Sequence, residues 1–138
     1  MNSITEADKK AIRNEVKHQF DQLISAINQS NAETWSENYS QDQFLSAIAS
    51  TDLYTTRSAW VNTITNYFAM REQQHLEPFE VQVAALTPDL ALMISQEKGE
   101  IQLKDGKELK HKHVFTMIWK KEQDGWKILY SHESWVEE

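Results

Sequence analysis

A chain of 138 residues with 21 acidic and 14 basic side chains carries a formal net charge of -7. That charge speaks against a general binder of nucleic-acid backbones, since such proteins present basic stripes. Cysteine is absent, which excludes disulfides, thiolate nucleophiles and cysteine-based metal sites. The length fits a single domain over residues 1–138, and 40% hydrophobic with 25% charged residues is a globular mixture. The opening "MNSITEADKK" lacks the order of a secretory signal, and no apolar run approaches the length of a membrane span. The expectation is a cytoplasmic protein that binds neither membrane nor nucleic acid.

Residues 4–29 read as an amphipathic helix, with Ile12, Val16, Phe20, Leu23, Ile24 and Ile27 in one stripe. Ser3 and Glu6 have the spacing of a capping box, and Ser30 with Glu33 repeats it at the start of a second, shorter helix. That helix places Trp35 and Tyr39 on one face. A short strand falls within 43–49, and "STDLYTT" reads as a polar connection. From Arg57 a third helix puts Trp60, Ile64, Tyr67, Phe68 and Arg71 on one face, with Arg57 and Arg71 expected as solvated ends. Pro78 closes the helical region.

The period then changes to that of strands. "FEVQVAAL" and "LALMISQE" flank Thr87-Pro88-Asp89, Asp105-Gly106 marks a second turn, and the run 107–121 leads through "EQDG" to a last strand. Helices followed by a four-stranded meander give an α+β domain: three N-terminal helices packed on a curved, mostly antiparallel sheet. For the last hairpin, a three-residue loop Gln123-Asp124-Gly125 with glycine in the left-handed conformation pairs Glu122 with Trp126, Trp119 with Leu129 and Met117 with Ser131. It also pairs Phe115 with Glu133 and His113 with Trp135. One face then carries His113, Phe115, Met117, Trp119, Leu129, Ser131, Glu133 and Trp135. The other carries Val114, Thr116, Ile118, Trp126, Ile128, Tyr130, His132 and Ser134. Both are largely apolar. The helices cover one, and a second copy of the chain is the expected cover for the other.

Helix, short helix, strand, helix and a long meander ending in Ile118, Trp119, Asp124 to Ile128, His132 and Ser134 resemble the nuclear transport factor 2-like superfamily. Within it the SnoaL-like branch is the nearest in pattern. The resemblance implies a cone-shaped α+β fold around an internal pocket and a homodimer formed through the outer sheet face. It implies no single function, because isomerases, cyclases, dehydratases, scaffolds and transport adaptors share the fold. Where ketosteroid isomerase has its base and oxyanion-hole groups, this chain has Ala47, Leu23 and Thr116, so that apparatus is not expected. Where the similar association domain of calcium/calmodulin-dependent kinase II has pocket arginines, it has Met117 and Glu133. A neutral, largely apolar ligand follows as the expectation.

The acid–base candidates are Glu133 and His113. A carboxylate facing Phe115, Met117 and Trp135 is disfavoured in its charged form, which raises its pKa and suits proton transfer, and His113 lies one pair along on the same face. The adjacent His132 and Ser134 point the other way and form no triad with Glu133. The expected ligand walls are Trp35, Tyr39, Trp60, Tyr67, Phe115, Met117, Trp119 and Trp135. His111 and His113 have a spacing that can hold zinc with His75 or Glu97 as a third ligand, but nothing demands it, and neither metal nor cofactor is expected. The readings kept open are a small-molecule binder, a cofactor-free isomerase, cyclase or dehydratase, and a dimeric interaction module without a ligand.

Overall fold

A computed structural model describes residues 4–138. Its elements are helices α1 (Glu6–Asn28), α2 (Ala32–Ser36) and α3 (Arg57–Met70), and strands β1 (Ser46–Ala49), β2 (Asp52–Tyr54), β3 (Arg71–Thr87), β4 (Leu90–Leu103), β5 (Glu108–Glu122) and β6 (Gly125–Glu137). The strands form one sheet in the order β2-β1-β6-β5-β4-β3. All neighbours are antiparallel except β1 and β6, which run parallel. This is the expected α+β arrangement, with the helices on one face of a curved sheet. No helix among the described residues is long and apolar enough to cross a membrane.

The stripe read for α1 is the buried one: Ile12, Val16, Phe20, Leu23, Ile24 and Ile27 all enter the core. Its cap differs from the expected one. Thr5 Oγ1 accepts from Asp8 N at 3.1 Å while Thr5 N donates to Asp8 Oδ2, so the box is formed two residues later than Ser3, which lies outside the described residues. The α2 cap is Asn31, whose Oδ1 accepts from Thr34 N at 3.1 Å; Ser30 instead takes a positive φ of 52° just after α1. "STDLYTT" contributes the short strand β2.

Two boundaries move. Helix α3 ends at Met70 and β3 begins directly at Arg71, so Pro78 lies inside a strand. It is tolerated there because β3 is an edge strand with a register shift between Pro78 and Glu80. Burial in "REQQHLE" does follow a two-residue period, with Gln74 and Leu76 facing in, but glutamine at an inward position hides the alternation from a hydrophobicity reading.

The last hairpin corrects the expected register in part. Glu122 pairs with Gly125, leaving only Gln123 and Asp124 in the loop, and Trp119 pairs with Ile128. A β-bulge then inserts Leu129 opposite the Ile118–Trp119 step, and beyond it Met117↔Ser131, Phe115↔Glu133 and His113↔Trp135 are as expected. One residue fewer in the turn is offset by one residue extra in the strand. Trp126 and Ile128 therefore join the core under α1, where Trp126 Nε1 donates to Glu15 Oε1 at 2.9 Å. Leu129, assigned to the inner face, is the bulged residue.

The outer face is consequently less apolar than expected. It loses Trp126 and Ile128 and keeps Ile94 and Val114, both exposed, with Leu92, Ile118 and Tyr130 half-buried.

Candidate active site

Strands β4, β5 and β6 deliver three ionisable side chains to one point. Along β4 the inward positions are Ala91, Met93, Ser95, Glu97, Gly99 and Ile101, all buried; Glu97 is the charged member of that row. It pairs directly with His113 on β5. His113 pairs in turn with Trp135, which makes Glu133 its diagonal neighbour on β6. His113 Nδ1 lies 2.9 Å from Glu97 Oε1, and His113 Nε2 lies 2.8 Å from Glu133 Oε2. The imidazole thus bridges two carboxylates, one fully enclosed and the other 17% exposed.

An imidazole with acceptors on both nitrogens is held as a cation. Burial by itself disfavours the imidazolium, but the hydrogen bonds to Glu133 and Glu97, and their negative charges, outweigh it and raise the His113 pKa to about 9. At neutral pH His113 therefore keeps both protons, each donated to a carboxylate. The surroundings of Glu133 differ from the apolar ones expected, because a cation sits 2.8 Å away.

This cluster borders a cavity of about 320 Å³ between the sheet and the helices. Of the expected wall residues, Trp35, Tyr67, Phe115 and Trp135 line it, together with both acid–base candidates, Glu133 and His113. Tyr39, Trp60, Met117 and Trp119 are enclosed in the core behind it. Trp35, Tyr39 and Trp60 form a contiguous aromatic cluster with centroids 4.9 to 6.2 Å apart, and Tyr39 hydrogen-bonds Ser131 at 3.2 Å. Tyr39 and Trp60 brace the wall from outside the cavity, behind Trp35.

Three residues at or beside the cavity were not among the expected acid–base or wall residues, Glu97 and His111 having been weighed only as metal ligands. Glu97 is signalled by its phase, since it follows Ala91 and Met93 on the inward side of β4. Arg71 continues the spacing of Trp60, Ile64 and Phe68 in the sequence, but it is the extended residue just past α3 and the first of β3, and it lines the cavity from that junction. Arg57 is likewise no solvated end: it donates to the carbonyl oxygens of Ser36 at 2.7 Å and Tyr39 at 3.2 Å, and so caps the end of α2. The third neighbour, His111, lies over Gly99. A Cβ at that glycine would come within 2.2 Å of His111 Nε2, so the absence of a side chain is what lets the ring lie flat against β4. Burial, then the positive charges of His113 and Arg71, lower the His111 pKa and keep the ring neutral.

No set of three histidine, aspartate or glutamate side chains among the described residues has an arrangement suited to a metal ion. The nitrogens of His113 are both engaged by carboxylates, and His75, offered as a third ligand, is solvent-facing beside Glu77. Thr116 lies on the outer face, while Ala47 and Leu23 are buried apolar positions; ketosteroid isomerase chemistry has no groups to use at these sites.

Solved structures share this architecture. A protein of Streptomyces avermitilis, provisionally assigned as a dehydratase of the nuclear transport factor 2-like family, superposes with a TM-score of 0.81 at 18% identity, covering 93% of this chain and 98% of that one. A nuclear transport factor 2-like superfamily protein from Salmonella enterica gives 0.81 at 13% identity, covering 91% of each chain. A hexachlorocyclohexane dehydrochlorinase from Novosphingobium barchaimii gives 0.78 at 8% identity, covering 97% and 94%. At such identities the likeness carries the fold and not the chemistry. No curated protein sequence matches the chain. The family model of the SnoaL-like domain matches residues 16–137, a span that includes the cavity lining and the whole Glu97–His113–Glu133 cluster, and the chain belongs to that family.

Proposed function

We propose that the chain binds a small, largely apolar molecule in the cavity and moves a proton on it with Glu133, in a cofactor-independent isomerisation or elimination. The observation that carries this reading is the bridging of two carboxylates by His113 at the cavity wall. A buried charge cluster costs free energy to assemble and is not needed to fill a core, whereas at a cavity it supplies a fixed base and a fixed cation.

The roles follow from the geometry. Glu97, fully enclosed, holds the ring through Nδ1. His113 holds Glu133 through Nε2 and keeps its own protons at neutral pH. Glu133, the most open member, is the base. It takes a proton from a substrate carbon. In an isomerisation the C–H electron pair passes into a conjugated anion, and the same proton returns at another carbon. In an elimination that pair forms the new double bond as the leaving group departs with its own bonding electrons. Neither requires a co-reactant.

The interaction-module reading would have been favoured by a pocket filled with tryptophan. Trp60 and Trp119 are instead packed in the core, and the cavity remains open beside them.

Two measurements test the proposal. Native mass spectrometry of the purified protein reads out a retained small molecule. Incubation with small cyclic and aromatic ketones, with and without a carboxylate substituent, in deuterium oxide, followed by proton NMR, reads out carbon-bound exchange. The expected result is exchange accelerated by the wild-type protein and abolished in Glu133→Gln. Equal rates with the two proteins on every ketone would sink the proton-transfer role.

A further inference from the structure

Arg71 is the cation of the cavity wall that the Glu97–His113–Glu133 cluster does not use. It follows Ile64 and Phe68 on the inward stripe of α3, at the point where the helix gives way to β3. Its Nη1 donates to Gln74 Oε1, and its guanidinium lies 5.7 Å from the centre of the Tyr67 ring. Among the described residues no carboxylate is within 4.0 Å of it, whereas His113 has one on each side. A guanidinium has five N–H donors in a planar fork, so most of that capacity is unused at a half-buried position. The same wall holds a second polar group without a partner: His111 Nδ1 is buried and makes no hydrogen bond.

The other charged groups at the cavity do not fill the fork. Glu133 acts on Arg71 through its charge alone; its Oε2, like Glu97 Oε1, is engaged by His113, and neither carboxylate hydrogen-bonds the guanidinium. Asp52 and Glu100 line the opening but are exposed, where water competes for them. The rest of the wall near the helices is apolar: Ile27, Trp35, Ile64, Phe68, Leu76 and Phe115.

Resting on the small-molecule reading above, we infer that the ligand is a monocarboxylate with an aromatic or alicyclic body, its carboxylate held by the Arg71 fork and its body against the apolar wall. A carboxylate matches a guanidinium through two parallel charge-assisted hydrogen bonds, which a ketone or amide oxygen cannot do. This replaces the neutral ligand expected from Met117 and Glu133: the chain lacks arginine at those two strand positions, and supplies one from the end of α3. An arginine serving only to neutralise the C-terminal end of α3 would show no preference among ligands, and that difference is measurable.

The experiment compares cinnamate with cinnamamide at pH 7, titrated into the full-length protein and followed by 15N–1H NMR. The two differ in charge and share shape and carbonyl. In the wild-type protein cinnamate binds more tightly by about tenfold or more, the scale of a charge-assisted pair. In Arg71→Gln the ratio of cinnamate to cinnamamide affinity falls to about one, and in Arg71→Lys, with charge but no fork, the ratio lies between. The wild-type Arg71 Nε–H resonance, which needs no variant, moves with cinnamate and not with cinnamamide. Equal binding of the two by the wild-type protein overturns the carboxylate assignment and leaves the pocket reading standing. A cinnamate preference that survives in Arg71→Gln also overturns it, placing the anion elsewhere. Binding of neither overturns both.

Discussion

The ionisation of His113 makes the stability of this protein fall with rising pH in a definite window. Its pKa is 6.5 in an unfolded chain and about 9 in the folded one. Below pH 6.5 both states carry the proton, and the stabilisation from the two carboxylates is fully present. Above about 9 both states have lost it, and that stabilisation is gone. Between these limits the folded protein binds the proton the unfolded chain has released, so each unit of pH removes about 1.4 kcal/mol. The whole displacement amounts to about 3 kcal/mol, and the 6% exposure of the ring leaves little room for solvent screening. A loss on this scale is a substantial part of the roughly 5–15 kcal/mol that holds a domain together.

The assay is urea denaturation at pH 6, 7, 8 and 9, on the wild-type protein and on Glu97→Gln, paired with an NMR titration of the His113 ring. In Glu97→Gln one hydrogen-bond acceptor is kept and one negative charge is lost. The ring therefore titrates lower, and the slope of stability against pH between 7 and 9 becomes shallower than in the wild type. The comparison removes most of the contribution of groups that titrate alike in both proteins. A wild-type ring that titrates near 6.5 would refute the reasoning, and so would equal slopes for the two proteins.

Removing the cation itself is expected to cost more than changing one of its partners. His113→Ala leaves Glu97 enclosed with no opposite charge, and a loss of about 3–5 kcal/mol is expected in the same denaturation; a change within experimental error would mean the cluster is not ionised as described. Gly99→Ala puts a methyl group into the His111 ring, and calorimetry is expected to show a destabilisation of about 1–3 kcal/mol. An unchanged melting temperature would place the ring elsewhere. On the outer face, Val114→Lys tests the pairing of two copies expected from the sequence: sedimentation is expected to give a dimer for the wild type and a monomer for the variant, and a monomeric wild type would remove the pairing altogether.

The legible parts of the fold were those where hydrophobicity and period coincide. The α1 stripe needed only its six apolar residues, and the α3 stripe only Trp60, Ile64 and Phe68. Strand β3 was half visible: "FEVQVAAL" alternates, but the stretch before it carries Gln74 inward, where that side chain donates to Ser30 Oγ at 3.1 Å. A buried polar residue satisfied by a distant partner has no signature in a local pattern. The β-bulge at Leu129 is a sharper case. A hairpin loop of three residues and a regular strand place Ser131 and Glu133 at the same partners as a loop of two residues and a bulge. Correct pairing at the site end therefore coexists with the wrong face for Trp126 and Ile128.

Glu133 and His113 were legible because one strand pair brings them together; Glu97 requires the next strand and Arg71 the far end of a helix. That division also bears on what each group does. The pair from the final hairpin sets where a proton is taken, and its geometry depends on a register that the bulge fixes locally. Glu97 comes from β4, and Gly99, two residues along the same strand, lets His111 pack against it; the cluster is therefore tied to the centre of the sheet, whose rigidity holds the imidazole between its acceptors. Arg71 stands at the junction of α3 with the edge strand β3, paired with Leu103 at the C-terminal end of β4, and shares no hydrogen bond with Glu97, His113 or Glu133. On this arrangement substitution of Arg71 changes which molecule is held, and substitution of Glu97 changes the His113 titration with ligand preference intact. A change at Glu97 that altered the preference of cinnamate over cinnamamide would show that the two functions are not separated in this way.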